Sequence, residues 1–223
     1  NTLFLFSADN GGCPFERTRG RNLKPWDPKS YWTYDASWAQ ASNTPFRLYK
    51  QNQHEGGISS PLIVHWPEGL KTKPGSITRQ PGHLIDFMAT FIELGAAKYP
   101  KQVGARAIEP LEGKSLLPIF KGEERDGHKN LYFHFGTDRA LRQGQWKLVS
   151  AKGGKWELYD LEKDRTELND LSAKYSDRVK EMSTLWFDIA KNKERLGKKG
   201  LSPVKGQLKK ISFRKDTSGQ LKE

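Results

Sequence analysis

Cysteine is almost absent from this chain: Cys13 is the only one in 223 residues. That excludes an internal disulfide framework and a metal site built from cysteine. Long apolar runs are absent too, and no stretch approaches the roughly 20 residues a membrane-spanning helix needs, so no membrane span is expected. The chain opens Asn1-Thr2-Leu3, without Met and without a signal-peptide pattern, in or just before a strand. The expectation is a piece of something longer, whose compartment cannot be read from its first residues. Acidic residues are the scarcer charge, 26 against 38 Lys and Arg, for a net +12. Much of the excess falls in residues 190–223, where eleven cationic residues face three acidic ones, a local +8. Such a tail is either a solvated terminus or a patch for a polyanion. With Phe213 its one aromatic, it lacks the stacking platform of a single-strand binder, and no nucleic acid partner is expected.

What is present is organised around Leu3-Phe4-Leu5-Phe6-Ser7-Ala8-Asp9-Asn10-Gly11-Gly12. The short, aromatic-rich apolar run reads as a buried strand. It stops at an acid, an amide and two glycines. In open α/β sheets the carboxyl ends of strands are where ligands sit. Asp9 and Asn10 would offer hard oxygen donors, suited to Ca²⁺ or Mg²⁺. The same four residues also read as a solvated Asx-type turn. Residues 13–49 follow, rich in Arg, Pro, Trp and Tyr, and read as a long ordered loop with short helical turns. Its aromatics suit core packing or the wall of a sugar cleft. Lys50 to Gly57 is a polar loop carrying a cation, an imidazole, a carboxylate and two glycines; Lys50 would bind an oxyanion as a point charge or simply be solvated. Leu62 to Trp66 reads as a second strand, bounded by Pro61 and Pro67.

Taken in order, Ser7-Ala8-Asp9-Asn10-Gly11-Gly12, Asn43 to Lys50, His54-Glu55-Gly56-Gly57-Ile58 and Pro61 to Pro67 closely resemble the C-terminal half of the type I, formylglycine-dependent sulfatases. These are the arylsulfatase-like branch of the alkaline phosphatase superfamily. The likeness continues through Gly82 to Thr90, Leu111 to Pro118, Ala140 to Val149 and Trp156 to Leu161, and spans residues 1 to about 190. It implies the C-terminal part of an alkaline phosphatase-like α/β sandwich, plus a small antiparallel sheet with a packed helix. The implied divisions are 1–125 for the catalytic domain, 126–196 for a C-terminal subdomain and 197–223 for a basic tail.

By the resemblance, Asp9 and Asn10 help bind the active-site cation, usually Ca²⁺ and less often Mg²⁺. Lys50, five residues before Glu55, contacts the sulfate group and is the catalytic candidate. His54 is a lesser candidate for touching the substrate, with Glu55 holding the loop. Arg139, Arg142 and His134 either face the cleft or lie solvated on the outer face of the sheet. The family's nucleophile is a formylglycine made in a Cys/Ser-x-Pro-x-Arg motif, and no such motif occurs. Cys13-Pro14-Phe15-Glu16-Arg17 imitates it but puts Pro beside Cys. The expectation is therefore a sulfatase hydrolysing sulfate esters of carbohydrate or aryl substrates, with the nucleophile on a missing N-terminal part of the same protein. This chain alone would be inactive and would bind Ca²⁺ only weakly. The family is typically periplasmic or secreted. A non-catalytic polyanion-binding module on the same scaffold, or a phosphodiesterase or phosphonate hydrolase of the superfamily, are the alternatives.

Downstream, Leu84, Phe87, Met88, Phe91 and Ile92 share one helical face, with Gly95 near its end, and read as core. Residues 98–129 read as a Gly-rich, charged loop. Residues 130–161 read as three antiparallel strands: Leu131 to Phe135, a run through Arg139 to Val149 that turns at Gln143-Gly144, and Trp156 to Tyr159. A closing helix starts near Ser176, with Val179, Met182, Trp186 and Ile189 as its apolar stripe.

Overall fold

Strand β1 (Phe4–Ser7) is followed by helices α1 (Asp35–Asn43) and α2 (Glu55–Ile58), strand β2 (Leu62–His65), helix α3 (Ile85–Leu94), the short strands β3 (Gln102–Val103) and β4 (Arg106–Ala107), and helix α4 (Leu117–Phe120). Strands β5 (Leu131–Phe135), β6 (Asp138–Gln143), β7 (Trp146–Ser150) and β8 (Glu157–Asp160) and helix α5 (Ser176–Lys193) come next, then the two-residue strands β9 (Arg214–Lys215) and β10 (Leu221–Lys222). The computed structural model describes residues 1–16, 22–33 and 35–193, and the backbone of β9 and β10. Apart from that short ladder, the basic tail lies outside the described residues.

The chain divides into two units, one of Asn1–Phe6 with Leu62–Lys129, the other of Ser7–Pro61 with Asn130–Glu223. The architecture is mixed α/β, with small sheets and packed helices, as the sequence implies.

In the first unit, β1 pairs with β2 in a two-stranded sheet. Alternation along the strand sends Leu3 and Leu5 toward a cluster of Leu116, Leu117, Ile119 and Phe120. The strand is half buried rather than wholly buried, because Phe4 and Phe6 on its other face are exposed. Helix α3 corrects a second expectation. Phe87 and Leu94 do pack on the cluster, but Leu84, Met88 and Phe91 are exposed, and the buried positions are Asp86, Ala89 and Thr90. The reason is a hydrogen-bonding post: Thr90 Oγ1 donates to Asp86 O at 2.7 Å and accepts from Leu116 N at 2.9 Å. That post turns the polar side of the helix inward onto the 113–117 segment. The expected loop at 98–129 contains the β3–β4 hairpin and α4.

In the second unit, four strands, not three, form an antiparallel meander in the order β5-β6-β7-β8. The 139–142 arm is a strand in its own right, because Gly144 at φ 55° closes a two-residue turn between β6 and β7. Leu141, Leu148 and Leu158 lie opposite one another in register and pack on Met182, Trp186 and Ala190 of α5. The helix thus begins at Ser176 and buries its expected stripe. Trp186 stacks on Tyr132 at 5.2 Å and its indole Nε1 donates to Phe133 O at 3.1 Å. The opposite face of the meander carries Ala140, Arg142, Lys147, Val149, Glu157 and Tyr159, again in register. Those polar positions matter for the site.

Candidate functional site

The turn after β1 and the loop before α2 are one piece of backbone. The amide of Gly11 donates to Gly57 O at 3.0 Å, and the amide of Lys50 donates to Gly12 O at 3.1 Å. Asn43 at the end of α1 braces both segments, accepting from Gly12 N and donating to Leu48 O, each at 3.0 Å. The approach is close enough to need glycine. A Cβ on Gly11 would lie 1.8 Å from Gly56 O, and one on Gly56 would lie 2.1 Å from Leu48 O. Leu48 and Gln51 are held at φ 64° and 77°, backbone conformations that cost energy for such residues. Of the sequence-derived candidates, Asp9 is exposed, and Asn10 and Lys50 are half buried. The backbone bonds bring the segments that carry them together.

His54 is fully buried. Its Nε2 donates to Glu157 Oε2 at 3.2 Å, and its Nδ1 has no hydrogen-bond partner among the described residues. Burial pushes the imidazole below its usual pKa; the charges of Lys147 and Arg47 act the same way, against Glu167 and Glu157. Arg47 reaches the same carboxylate at 2.9 Å and donates to Tyr159 Oη at 2.9 Å. Tyr159 in turn donates to Glu157 at 2.6 Å. Burial raises the Glu157 carboxyl, but these bonds and charges outweigh it and hold it below its ordinary value.

Behind Glu55 stands Lys147, fully buried on β7. Its Nζ donates to Glu55 Oε1 at 2.8 Å and forms an ion pair with Glu167 Oε1, also at 2.8 Å but too poorly aligned for a hydrogen bond. Glu167 Oε2 accepts the amide of Glu55 at 2.7 Å. Arg165 reaches Glu55 Oε2 at 3.4 Å and Ser59 Oγ at 3.0 Å, and lies over the Phe46 ring. Burial opposes ionisation of Glu55, yet Lys147, Arg165 and Arg142 hold its pKa below the usual value.

A model of the N-sulphoglucosamine sulphohydrolase C-terminal family matches residues 46–194. The chain belongs to that family. Among curated relatives it is similar to a sulfatase of Formosa agariphila, 31% identical over 60% of this chain and 20% of the relative. It is also similar to N-acetylgalactosamine-6-sulfatase of Mus musculus, 32% identical over 66% of this chain and 23% of the relative. Among solved structures, Ps i-CgsB in complex with k-i-k-neocarrahexaose superposes with a TM-score of 0.61 at 25% identity, covering 84% of this chain and 36% of that one. The chain thus spans well under half the length of these relatives. Its fold is the C-terminal part of the alkaline phosphatase-like fold of the sulfatases.

Several features of this sulfatase region escape sequence reasoning. Lys147, Glu157, Tyr159, Arg165 and Glu167 all converge on the 46–59 loop from about a hundred residues away. Lys147, between Trp146 and Leu148 in a strand, reads from sequence as an ordinary outward-facing position and gives no sign of these partners. Arg139 does not face solvent: it is 7% exposed, lies over the Trp156 ring at 4.7 Å, and donates to Ser150 Oγ. Arg142 is half buried on the face of Lys147 and donates to Gly144 O. His134 sits edge-on to Trp186. As for a metal, Asp9 and Asn10 offer hard oxygen donors of the kind Ca²⁺ takes, but Ca²⁺ takes about 6–8 oxygens. Among the described residues no cluster of three or more His, Cys, Asp or Glu is arranged to hold an ion. The two residues fit part of a site. No helix among the described residues is long and apolar enough to cross a membrane.

Proposed function

We propose that this chain is the C-terminal part of a metal-dependent sulfuric ester hydrolase, acting on sulfated carbohydrate or aryl sulfate. The observation that carries the reading is the pair of main-chain bonds joining Gly11 to Gly57 and Lys50 to Gly12, which hold the Asp9-Asn10 turn and the Lys50 loop as one piece. Asp9 and Asn10 would hold Ca²⁺ with further ligands from elsewhere in the whole protein. A bound cation supplies positive charge where the sulfuryl oxygens gain negative charge. Lys50 binds those oxygens as a point charge from the other side of the turn. His54, sealed beneath the loop, serves substrate binding by fixing where Lys50 stands.

The nucleophile belongs to another segment. The motif that would yield a formylglycine is absent from these 223 residues, and Cys13, followed at once by Pro14, does not replace it. The exposed apolar side chains of Phe4, Phe6 and Ile63, and those of Leu84 just before α3 and of Met88 and Phe91 on it, suit packing against such an N-terminal part. A two-stranded sheet is marginal by itself in water. Export to the periplasm or medium accords with this reading.

The test uses the whole protein and this chain side by side. The whole protein hydrolyses an aryl sulfate in a Ca²⁺-dependent way. Asp9→Ala raises the Ca²⁺ concentration needed, and Lys50→Ala lowers kcat/KM by about 10²-fold without changing the unfolding midpoint. This chain alone shows neither turnover nor tight Ca²⁺ binding by calorimetry. Turnover of an aryl sulfate by the isolated chain would overturn the assignment of the nucleophile to another segment.

A further inference from the structure

We propose that Lys147 is a positioning residue of the candidate site: it clamps the 47–57 loop, and with it Lys50, to the C-terminal sheet. The inference rests on the sulfatase reading for its link to catalysis, but the clamp stands on geometry alone. Lys147 is fully buried, an expensive place for an ammonium. It is there between two buried carboxylates, Glu55 of the loop and Glu167 of the turn after β8, each 2.8 Å away. Glu167 closes the ring by accepting the Glu55 amide at 2.7 Å. The loop is therefore held through both the side chain and the backbone of one residue.

Helix and core packing do not need this arrangement. Lys147 alternates with Trp146 and Leu148, which pack with the α5 cluster, so it stands on the opposite face of β7. A core for the sheet would be served by an apolar residue at that position; replacing buried ion pairs with apolar groups is often neutral or stabilising. What the charge adds is a fixed direction. Two hydrogen bonds inside the loop, Gly56 N to Arg47 O and Gly57 N to His54 O, pass that position back along the chain. The bond from Gly11 N to Gly57 O then carries it to the Asp9-Asn10 turn. The strained backbone at Leu48 and Gln51, on either side of Lys50, needs such an outside restraint to persist.

The experiment is hydrogen exchange and steady-state kinetics on the whole protein carrying Lys147→Met, with Leu148→Ala as a core variant of comparable instability. With Lys147→Met, amides of 47–58 exchange about tenfold faster or more while those of 176–193 stay as protected as in the wild type; Leu148→Ala, which loses packing on α5, does the reverse. Aryl sulfate kcat falls about tenfold or more, with KM changed far less, and Leu148→Ala keeps its kcat. Glu167→Gln, a milder change that folds if Lys147→Met does not, speeds exchange in the same amides by a smaller factor. Unchanged exchange at 47–58 in both variants overturns the clamp, as does an equal rise throughout α5. If the wild-type whole protein cleaves no sulfate ester yet the exchange pattern holds, the sulfatase reading falls and the clamp stands.

Discussion

Lys50 donates its backbone amide to the carbonyl of Gly12 at 3.1 Å. The residue proposed to meet the sulfate is therefore tied by main chain to the turn proposed to meet the metal. Main-chain bonds do not depend on which side chain the lysine carries. That is why removing the Lys50 side chain should cost activity without costing fold, and why the fold is most sensitive elsewhere, at the glycines that let the two backbones meet.

Gly11→Ala is expected to disrupt the junction between the turn and the loop directly. Its Cβ would lie 1.8 Å from Gly56 O and 2.9 Å from Gly56 C, so backbone must move. The cost should be on the order of 1–3 kcal/mol, with loss of whatever activity the site has. Gly144→Ala is the control. It sits at φ 55° with nothing within 4 Å of a new Cβ, so only the backbone conformation is strained, at about 1 kcal/mol, and activity should persist. Urea midpoints of the two variants check the order. A Gly11→Ala protein as stable as wild type would mean that the turn and loop are not locked together.

Much of this was legible beforehand, and the part that was not shares one cause. Local signals found β1, β2, α5 and the Gly144 turn, because apolar periodicity and a glycine at positive φ are properties of short windows. The motif order placed Asp9, Asn10 and Lys50 in segments that the backbone does join. Long-range polar pairing left no such trace. Nothing near Asp86 says that a carboxylate on a helix with Phe87 and Met88 will face inward, since its partners Arg125 and His128 lie some forty residues on. The Lys147 clamp was hidden for the same reason, as was the burial of Arg139 against Trp156 and Trp186. Exposed apolar residues on α3 follow from a different limit: a stripe in sequence says a face will be covered, not by which segment.

Asp86 anchors the first unit. It accepts from Arg125 Nη2 at 2.8 Å, His128 Nε2 at 2.6 Å, and the amides of His83 and Lys114, each at 2.9 Å. Burial alone would raise its pKa, but the Lys114 amide, His128 and Arg125 outweigh it and the net shift is downward. Asp86→Ala strands the guanidinium of Arg125, itself almost wholly buried, and should cost about 3–5 kcal/mol. Asp86→Asn keeps the shape and some of the bonds and should cost less. Thermal unfolding of both variants checks this; an Asp86→Ala protein within 1 kcal/mol of wild type, roughly the scale of an exposed ion pair, would show that the Asp86 carboxylate does not anchor the unit.

Acid should loosen the second unit before Glu55 and Glu157 titrate, and His54 is the reason. Burial, joined by Lys147 and Arg47, holds its folded pKa below the ordinary value of about 6.5, despite Glu167 and Glu157. Above that ordinary value both folded and unfolded imidazoles are neutral, and the contribution of the buried neutral ring is complete. As pH falls through it, the unfolded chain takes up the proton first, and stability drops until the folded value is passed. Glu55 and Glu157 act with the same sign but at lower pH, since their folded values lie below the usual carboxylate range. Between about pH 6.5 and 4.5 the loss therefore belongs to histidine. His54→Gln should be less stable overall yet show a flatter dependence of urea midpoint on pH across that window, by up to about 1.4 kcal/mol per pH unit. Some slope will remain, because His83 is shifted downward by burial as well. Midpoints at pH 7.5, 6.5, 5.5 and 4.5, read as a slope rather than as single values, decide it. An unchanged slope in His54→Gln would mean that folding leaves the imidazole pKa where it is in the unfolded chain, and a steeper one would mean that Glu157 keeps the ring protonated.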